Sequence, residues 1–286
     1  MNDTDPAIIT ASLAVPGARL HYELRGSDSD TGTGTGTGPL VALVGSPMDA
    51  RAFAATADLL AAAGHRVLTT DPRGIRRSEL DDPEQDSTPE QRADDLARLL
   101  EHVGGAPAAV FGSSGGAVTA LALVQARPDL VHTVIPHEPP LVELLPDRAE
   151  LHAGMEKMIE VYESGDTLGA WRMFMEQANI QLPEGVLEMM FGGEKDPQDA
   201  ADERRGMTHE MYPTTLFRPD LDALRAADCR IVPGIGADSA GQLCERSTEA
   251  LAAGLGVRPV RFPGGHTGFA DDAEGFCPRL LEVLAG

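Results

Sequence analysis

Residues 112–116 read Gly-Ser-Ser-Gly-Gly and join an apolar run at 108–111 to a segment at 115–127 rich in Ala, Val and Leu. A strand that passes straight into a helix must turn sharply, and such a turn leaves no room for bulk two residues before or after its centre. With Ser114 at the centre, those places hold Gly112 and Gly116. With Ser113 at the centre they would hold Phe111 and Gly115, and Phe is too large. Ser114 is therefore the exposed residue of the turn. The helix that begins behind it offers free N–H groups to a developing negative charge. A dinucleotide cradle does not fit, because GxGxxG belongs in the first βαβ unit with an acid about 20 residues on.

The segments around this turn alternate. Residues 8–15 and 19–25, joined by Pro16-Gly17, read as a hairpin. Short apolar strands at 40–44, 66–70, 108–111 and 131–135 alternate with helical patterns at 51–63, 89–103 and 115–127. Strands recur at 230–233 and 258–262, with helices at 247–253 and 273–284. This predicts an α/β fold, with a mainly parallel eight-stranded sheet flanked by helices. The alternation stops between residues 137 and 227, where only helix-like segments occur. Met155, Met158, Met173, Met175, Met189, Met190, Met207, Met211 and Trp171 fall there. The expected organisation is a first core part at 1–136, a helical cap at 137–227, and a second core part at 228–286. The Thr-Gly repeat within 27–38 reads as a flexible surface loop without function.

Composition narrows the partners. A formal charge of −22 argues against nucleic acid and against an anionic membrane surface. No apolar stretch approaches the roughly 20 residues that span a bilayer, and the acidic N-terminus is not a secretory signal. Three cysteines without CxxC spacing do not make a disulfide framework or a zinc site. The expectation is a cytoplasmic enzyme, monomer or homodimer, acting on a small molecule without metal or cofactor.

Further motifs carry a resemblance. Asp71-Pro72-Arg73-Gly74-Ile75-Arg76-Arg77-Ser78 is similar to a DxRGxGxS loop, with Arg76 replacing the second glycine. Val44-Gly45-Ser46-Pro47 is similar to an HGxP turn, with Val44 replacing the histidine. His137-Glu138-Pro139-Pro140 follows the sixth strand and leads into the cap. With the Ser114 turn, the chain resembles the α/β-hydrolase fold family from Leu13 to Leu284, above all its capped esterases, lactonases and small-molecule hydrolases. Many of these serve secondary metabolism.

The resemblance implies a cap after strand six, Ser114 as nucleophile, and an oxyanion hole from the N–H groups of Ser46 and Gly115. A serine hydroxyl needs a base. Among eight histidines, His266 lies in Gly264-Gly265-His266-Thr267-Gly268, past the last strand, where flexible flanks can bring its imidazole over the sheet edge. Asp238, beyond Gly234-Ile235-Gly236-Ala237, resembles the family's acid. It gives the chain order Ser114, Asp238, His266 that this fold requires. Glu138 is the reserve acid, and Asp71 is expected to order Arg73 and Ser78. Pro47, His137, Met173 and Met175 are expected to contact substrate, thioethers being adaptable to irregular apolar shapes. The expected reaction is cleavage of an ester or lactone of a moderately bulky apolar molecule through an acyl-enzyme. The alternatives are a C–C bond hydrolase or perhydrolase with the same triad, or a ligand-binding member without turnover.

Overall fold

The computed structural model describes residues 8–26 and 38–286, so the Thr-Gly repeat at 27–38 lies outside the described residues except for Gly38. The hairpin forms as β1 (Ile9–Val15) and β2 (Ala18–Arg25). Next come β3 (Leu40–Val44), α1 (Ala54–Ala62), β4 (Arg66–Thr70), β5 (Glu79–Leu80), α2 (Pro89–Val103), β6 (Ala108–Ser113), α3 (Gly115–Ala126) and β7 (Val131–His137). From 138 to 229 the chain has helices and no strand: α4 (Arg148–Glu163), α5 (Thr167–Ala178), α6 (Val186–Phe191), α7 (Pro197–Arg205), a π-helical turn (Gly206–Glu210), α8 (Met211–Thr215) and α9 (Leu221–Ala226). It returns through β8 (Arg230–Ile231), β9 (Gly234–Gly236), α10 (Leu243–Leu255), β10 (Val260–Phe262), α11 (Gly268–Asp271) and α12 (Ala273–Ala285).

One sheet runs in the order β1-β2-β4-β3-β6-β7-β9-β10, with β5 added to β2 and β8 to β7. Strand β2 is antiparallel to its neighbours and the other pairs are parallel. The strand expected at 230–233 is split in two. Val232 N still donates to Val134 O at 2.9 Å, but Pro233 has no N–H and interrupts the ladder before β9 pairs with His137.

Alternation along buried strands explains why helices cover both faces. In β3, Leu40, Ala42 and Val44 join one cluster with residues of α2 and α3, while Val41 and Leu43 join another with residues of α1 and α12. Helix α2 starts where Thr88 and Gln91 form a reciprocal capping box, and its Leu96, Leu99 and Leu100 are buried. Helix α3 is buried from Gly115 to Val124, which holds its first turn in place beneath Ser114.

The helical insert is tied to the loop after β4. Arg76 reaches Asp49 at 3.4 Å and Asp202 at 3.0 Å, and also pairs with Asp199. Arg205 donates to the carbonyls of Pro83 at 2.8 Å and Gln85 at 2.7 Å. In that loop Asp71 binds Arg77 at 2.7 Å and the N–H of Ala50 at 3.0 Å, while Arg73 pairs with Asp95 at 2.7 Å. Only the Asp71 main-chain carbonyl meets the Ser78 hydroxyl, at 2.7 Å. Asp71 therefore orders Arg77 instead of Arg73, because Asp95 on α2 reaches the Arg73 guanidinium first.

Candidate active site

Ser114 sits between β6 and α3 with φ 55° and ψ −124°, a conformation costly for a residue with a Cβ. Its N–H donates to the His137 carbonyl at 3.0 Å. The glycines around it are sterically required. A Cβ on Gly116 would run into the Val44 carbonyl, and one on Gly112 into the carbonyl of Gly116. A Cβ on Gly115 would lie 2.6 Å from the Ser46 carbonyl oxygen and 3.1 Å from Ser46 Oγ. Ser46 thus lies directly beside the first N–H groups of α3.

Ser114, Gly115, Ser46, Pro47 and His266 line one cavity of about 160 Å3. The insert supplies the facing wall with Met155, Trp171, Phe174, Ala178, Ile180 and Met211, and α10 adds Leu243 and Cys244. The wall is largely apolar. Burial, with the Glu138 charge nearby, pushes the Cys244 thiol far above its ordinary range, so it is a neutral wall group and not a nucleophile.

The carboxylate beside the His266 imidazole is not the expected one. His266 Nδ1 lies 2.6 Å from Glu138 Oε2. Glu138 follows β7 with φ 51°, and its Oε1 accepts the Gly236 N–H at 2.8 Å. Burial alone would raise this carboxyl, but the hydrogen bond and charge of His266 outweigh it and hold it down to about 2. Asp238 is exposed, on a turn whose N–H donates to the Gly264 carbonyl at 3.0 Å. The Asp238 assignment is corrected on this geometry. The turn after β9 carries its side chain outward, and the imidazole nitrogen it would need is occupied by Glu138.

Three further expectations change. His137 is fully buried below the cavity, against Phe111, Phe262, Phe269 and Phe276, and is not one of its lining residues. Burial lowers its pKa to about 4, so it is a neutral core residue at ordinary pH. Met173 and Met175 do not line the cavity either. Met173 packs among Met155, Met158 and Met207 within the insert. The inward face of α5 is the one carrying Trp171, Phe174 and Ala178, three and four residues apart.

Sequence reasoning passed over Glu210, a buried carboxylate in the cavity wall whose Oε2 accepts the Ser46 hydroxyl at 3.0 Å. The available signal was its helical spacing from Met207 and Thr214, both buried. Among the described residues no three His, Cys, Asp or Glu side chains converge as metal ligands, and no helix is long and apolar enough to cross a membrane.

Comparison with known proteins agrees with this architecture. The α/β hydrolase fold family matches residues 38–159. An uncharacterized hydrolase of Bacillus subtilis, YraK, is 32% identical over 97% of this chain and 96% of its own. An esterase from Exiguobacterium antarcticum superposes with a TM-score of 0.70 at 20% identity, covering 97% of this chain and 100% of that one. A thermophilic esterase from Thermogutta terrifontis gives 0.69 at 22% identity, covering 98% of each. With a relative at 32% identity along nearly its whole length, the chain belongs to the α/β-hydrolase fold family.

Proposed function

We propose that this protein is a serine hydrolase that cleaves an ester or lactone of a moderately bulky apolar molecule. The observation that carries the reading is Ser114, held in a strained turn, opening on the same apolar cavity as an imidazole paired with a buried carboxylate. In this reading Ser114 Oγ attacks the carbonyl carbon while His266 Nε2 takes its proton. Glu138 fixes the tautomer of His266 through Nδ1 and stabilises the imidazolium that forms. The N–H groups of Gly115 and Ser46 receive the oxyanion. Collapse of the tetrahedral adduct returns the proton to the leaving alcohol, and water, activated by His266, resolves the acyl-enzyme. The helical insert serves as the cap, and its apolar wall selects the acyl or alkyl group.

Intact-mass spectrometry after exposure to a fluorophosphonate tests the nucleophile. One adduct is expected, located on Ser114, absent from Ser114→Ala, with kcat on p-nitrophenyl butyrate lowered by about 10³-fold or more. Labelling that survives Ser114→Ala would overturn the reading. Tight ligand binding without turnover by the wild type would point to a binding protein instead.

A further inference from the structure

Glu210 is a carboxyl group with no evident reason to be where it is. It is 1% exposed, closes the π-helical turn before α8, and contributes to the cavity wall beside Ser46 and Ser114. Oε2 meets Ser46 Oγ at 3.0 Å, and Oε1 has no hydrogen-bond partner. A buried polar atom without a partner is costly, and an ionised one more so.

The charged neighbours do not neutralise it by contact. Arg92 on α2 gives its N–H groups to the Ser87 carbonyl and hydroxyl, to Thr119 Oγ1 at 3.0 Å and to Thr214 Oγ1 at 2.7 Å. Arg205 on α7 gives its terminal N–H groups to the carbonyls of Pro83 and Gln85, and its buried Nε has no hydrogen-bond partner. The hydroxyls of Ser46 and Ser87 face Glu210 as well, and His209 beside it in the chain pairs with Asp86. Burial outweighs the two guanidinium charges and raises the Glu210 carboxyl above its ordinary range.

Resting on the serine-hydrolase reading above, we infer that Glu210 is a positioning residue that aims the Ser46 hydroxyl at the substrate's carbonyl oxygen. The geometry allows two arrangements. With Glu210 neutral, its O–H donates to Ser46 Oγ, and the Ser46 hydrogen is free to turn toward the space beside Gly115. That hydrogen then joins the N–H groups of Ser46 and Gly115 as a third donor to the oxyanion. With Glu210 ionised, the Ser46 hydrogen turns back to the carboxylate, and a negative charge lies behind the place where the oxyanion must form. Ionisation releases the carboxyl proton to solvent, and the direction of the Ser46–Glu210 hydrogen bond then reverses. The neutral form is the active one, so activity falls as pH rises through the raised Glu210 pKa.

The test is the pH dependence of kcat and KM for p-nitrophenyl butyrate, corrected for spontaneous hydrolysis, with fluorophosphonate labelling of Ser114 in each variant. The wild type should lose activity as pH rises through the Glu210 titration. Ser46→Ala should lower kcat by about 10- to 100-fold with KM nearly unchanged, because a transition-state donor has been removed. It should also lose the fall with rising pH. Glu210→Gln keeps a neutral donor on Ser46, so it should retain more kcat than Ser46→Ala while the fall with rising pH disappears. A wild-type kcat in Ser46→Ala would overturn the inference, as would a fall with rising pH that persists in both variants. A wild type in which Ser114 is labelled but the profiles do not move overturns only the Glu210 role. A wild type that is neither labelled nor active overturns the function on which that role rests.

Discussion

His266 Nδ1 and Glu138 Oε2 approach to 2.6 Å across the ends of two parts of the chain that the helical insert separates in sequence. The same carboxylate accepts the Gly236 N–H at 2.8 Å, so one buried side chain orients the imidazole and fastens the β9 loop. Glu138→Gln keeps the volume but presents the wrong hydrogen-bonding partner to the imidazole. It should lower kcat by roughly 10³- to 10⁴-fold. Asp238→Asn, at an exposed position, should stay within about twofold. Steady-state kinetics on one ester compares the two, and a larger loss in Asp238→Asn would return the acid to the loop after β9.

Stability should decline in two stages on acidification. His137 is neutral in the fold, with its pKa lowered from 6.5 to about 4, so the unfolded chain binds the extra proton between those values. Its contribution is complete above pH 6.5 and is lost as pH falls toward 4. That loss is on the order of 3 kcal/mol. Glu138, lowered from 4.5 to about 2, takes over below that window with the same sign. Urea unfolding midpoints at pH 7, 5.5 and 4 should fall steadily for the wild type and much less for His137→Leu. Parallel declines would show that other groups carry the acid sensitivity.

The wall of the cavity should set the preferred chain length. Each buried methylene is worth about 0.8 kcal/mol, or about fourfold in kcat/KM at best. Activity should therefore rise from p-nitrophenyl acetate toward hexanoate until the cavity is full. Met211→Gln, in the wall, should flatten the series, while Met175→Gln, outside it, should leave the slope intact. A wild-type optimum at acetate would mean that the acyl group does not enter this space.

The turn itself gives a steric prediction. Gly116→Ala drives a Cβ into the Val44 carbonyl, a backbone atom that cannot yield without moving β3. The expected cost is about 3 kcal/mol or more, with fluorophosphonate labelling of Ser114 lost or slowed. Gly64→Ala makes a useful comparison. Its added Cβ meets open space, and only its φ of +93° opposes the change, at a cost of about 1 kcal/mol. Thermal denaturation and labelling rate together distinguish a broken turn from a general loss of stability.

What was legible in the sequence follows the range of the forces involved. The Ser114 turn depends on sterics among five consecutive residues, so Gly112 and Gly116 announce it locally. The sheet's double burial was legible because Leu40–Val44 is apolar at every position. The acid was not legible. Glu138 reaches His266 only because the chain leaves β7 at φ 51°, while the turn after β9 carries Asp238 to the surface. Both carboxylates follow strands that end on the same side of the sheet, and spacing does not separate them. Met173 and Met175 failed for a related reason: a helix with apolar residues on more than one face does not say which face meets the cavity. Glu210 was hidden because its role depends on a serine far away in sequence.

Near this site the chain is fastened on either side of its long helical excursion. Val232 N bonds to Val134 O, Glu138 N to Gly234 O, and Gly236 N to the Glu138 carboxylate. The excursion therefore leaves and rejoins a stem whose geometry is fixed by hydrogen bonds of its own. Closing a longer loop on a fixed stem costs only about 0.6 kcal/mol for each doubling of its length. The helices beyond the stem are thus a graftable part. On the proposed reading they can change in length while Ser114, Glu138 and His266 keep their spacing, provided that the turn carrying Glu210 is kept.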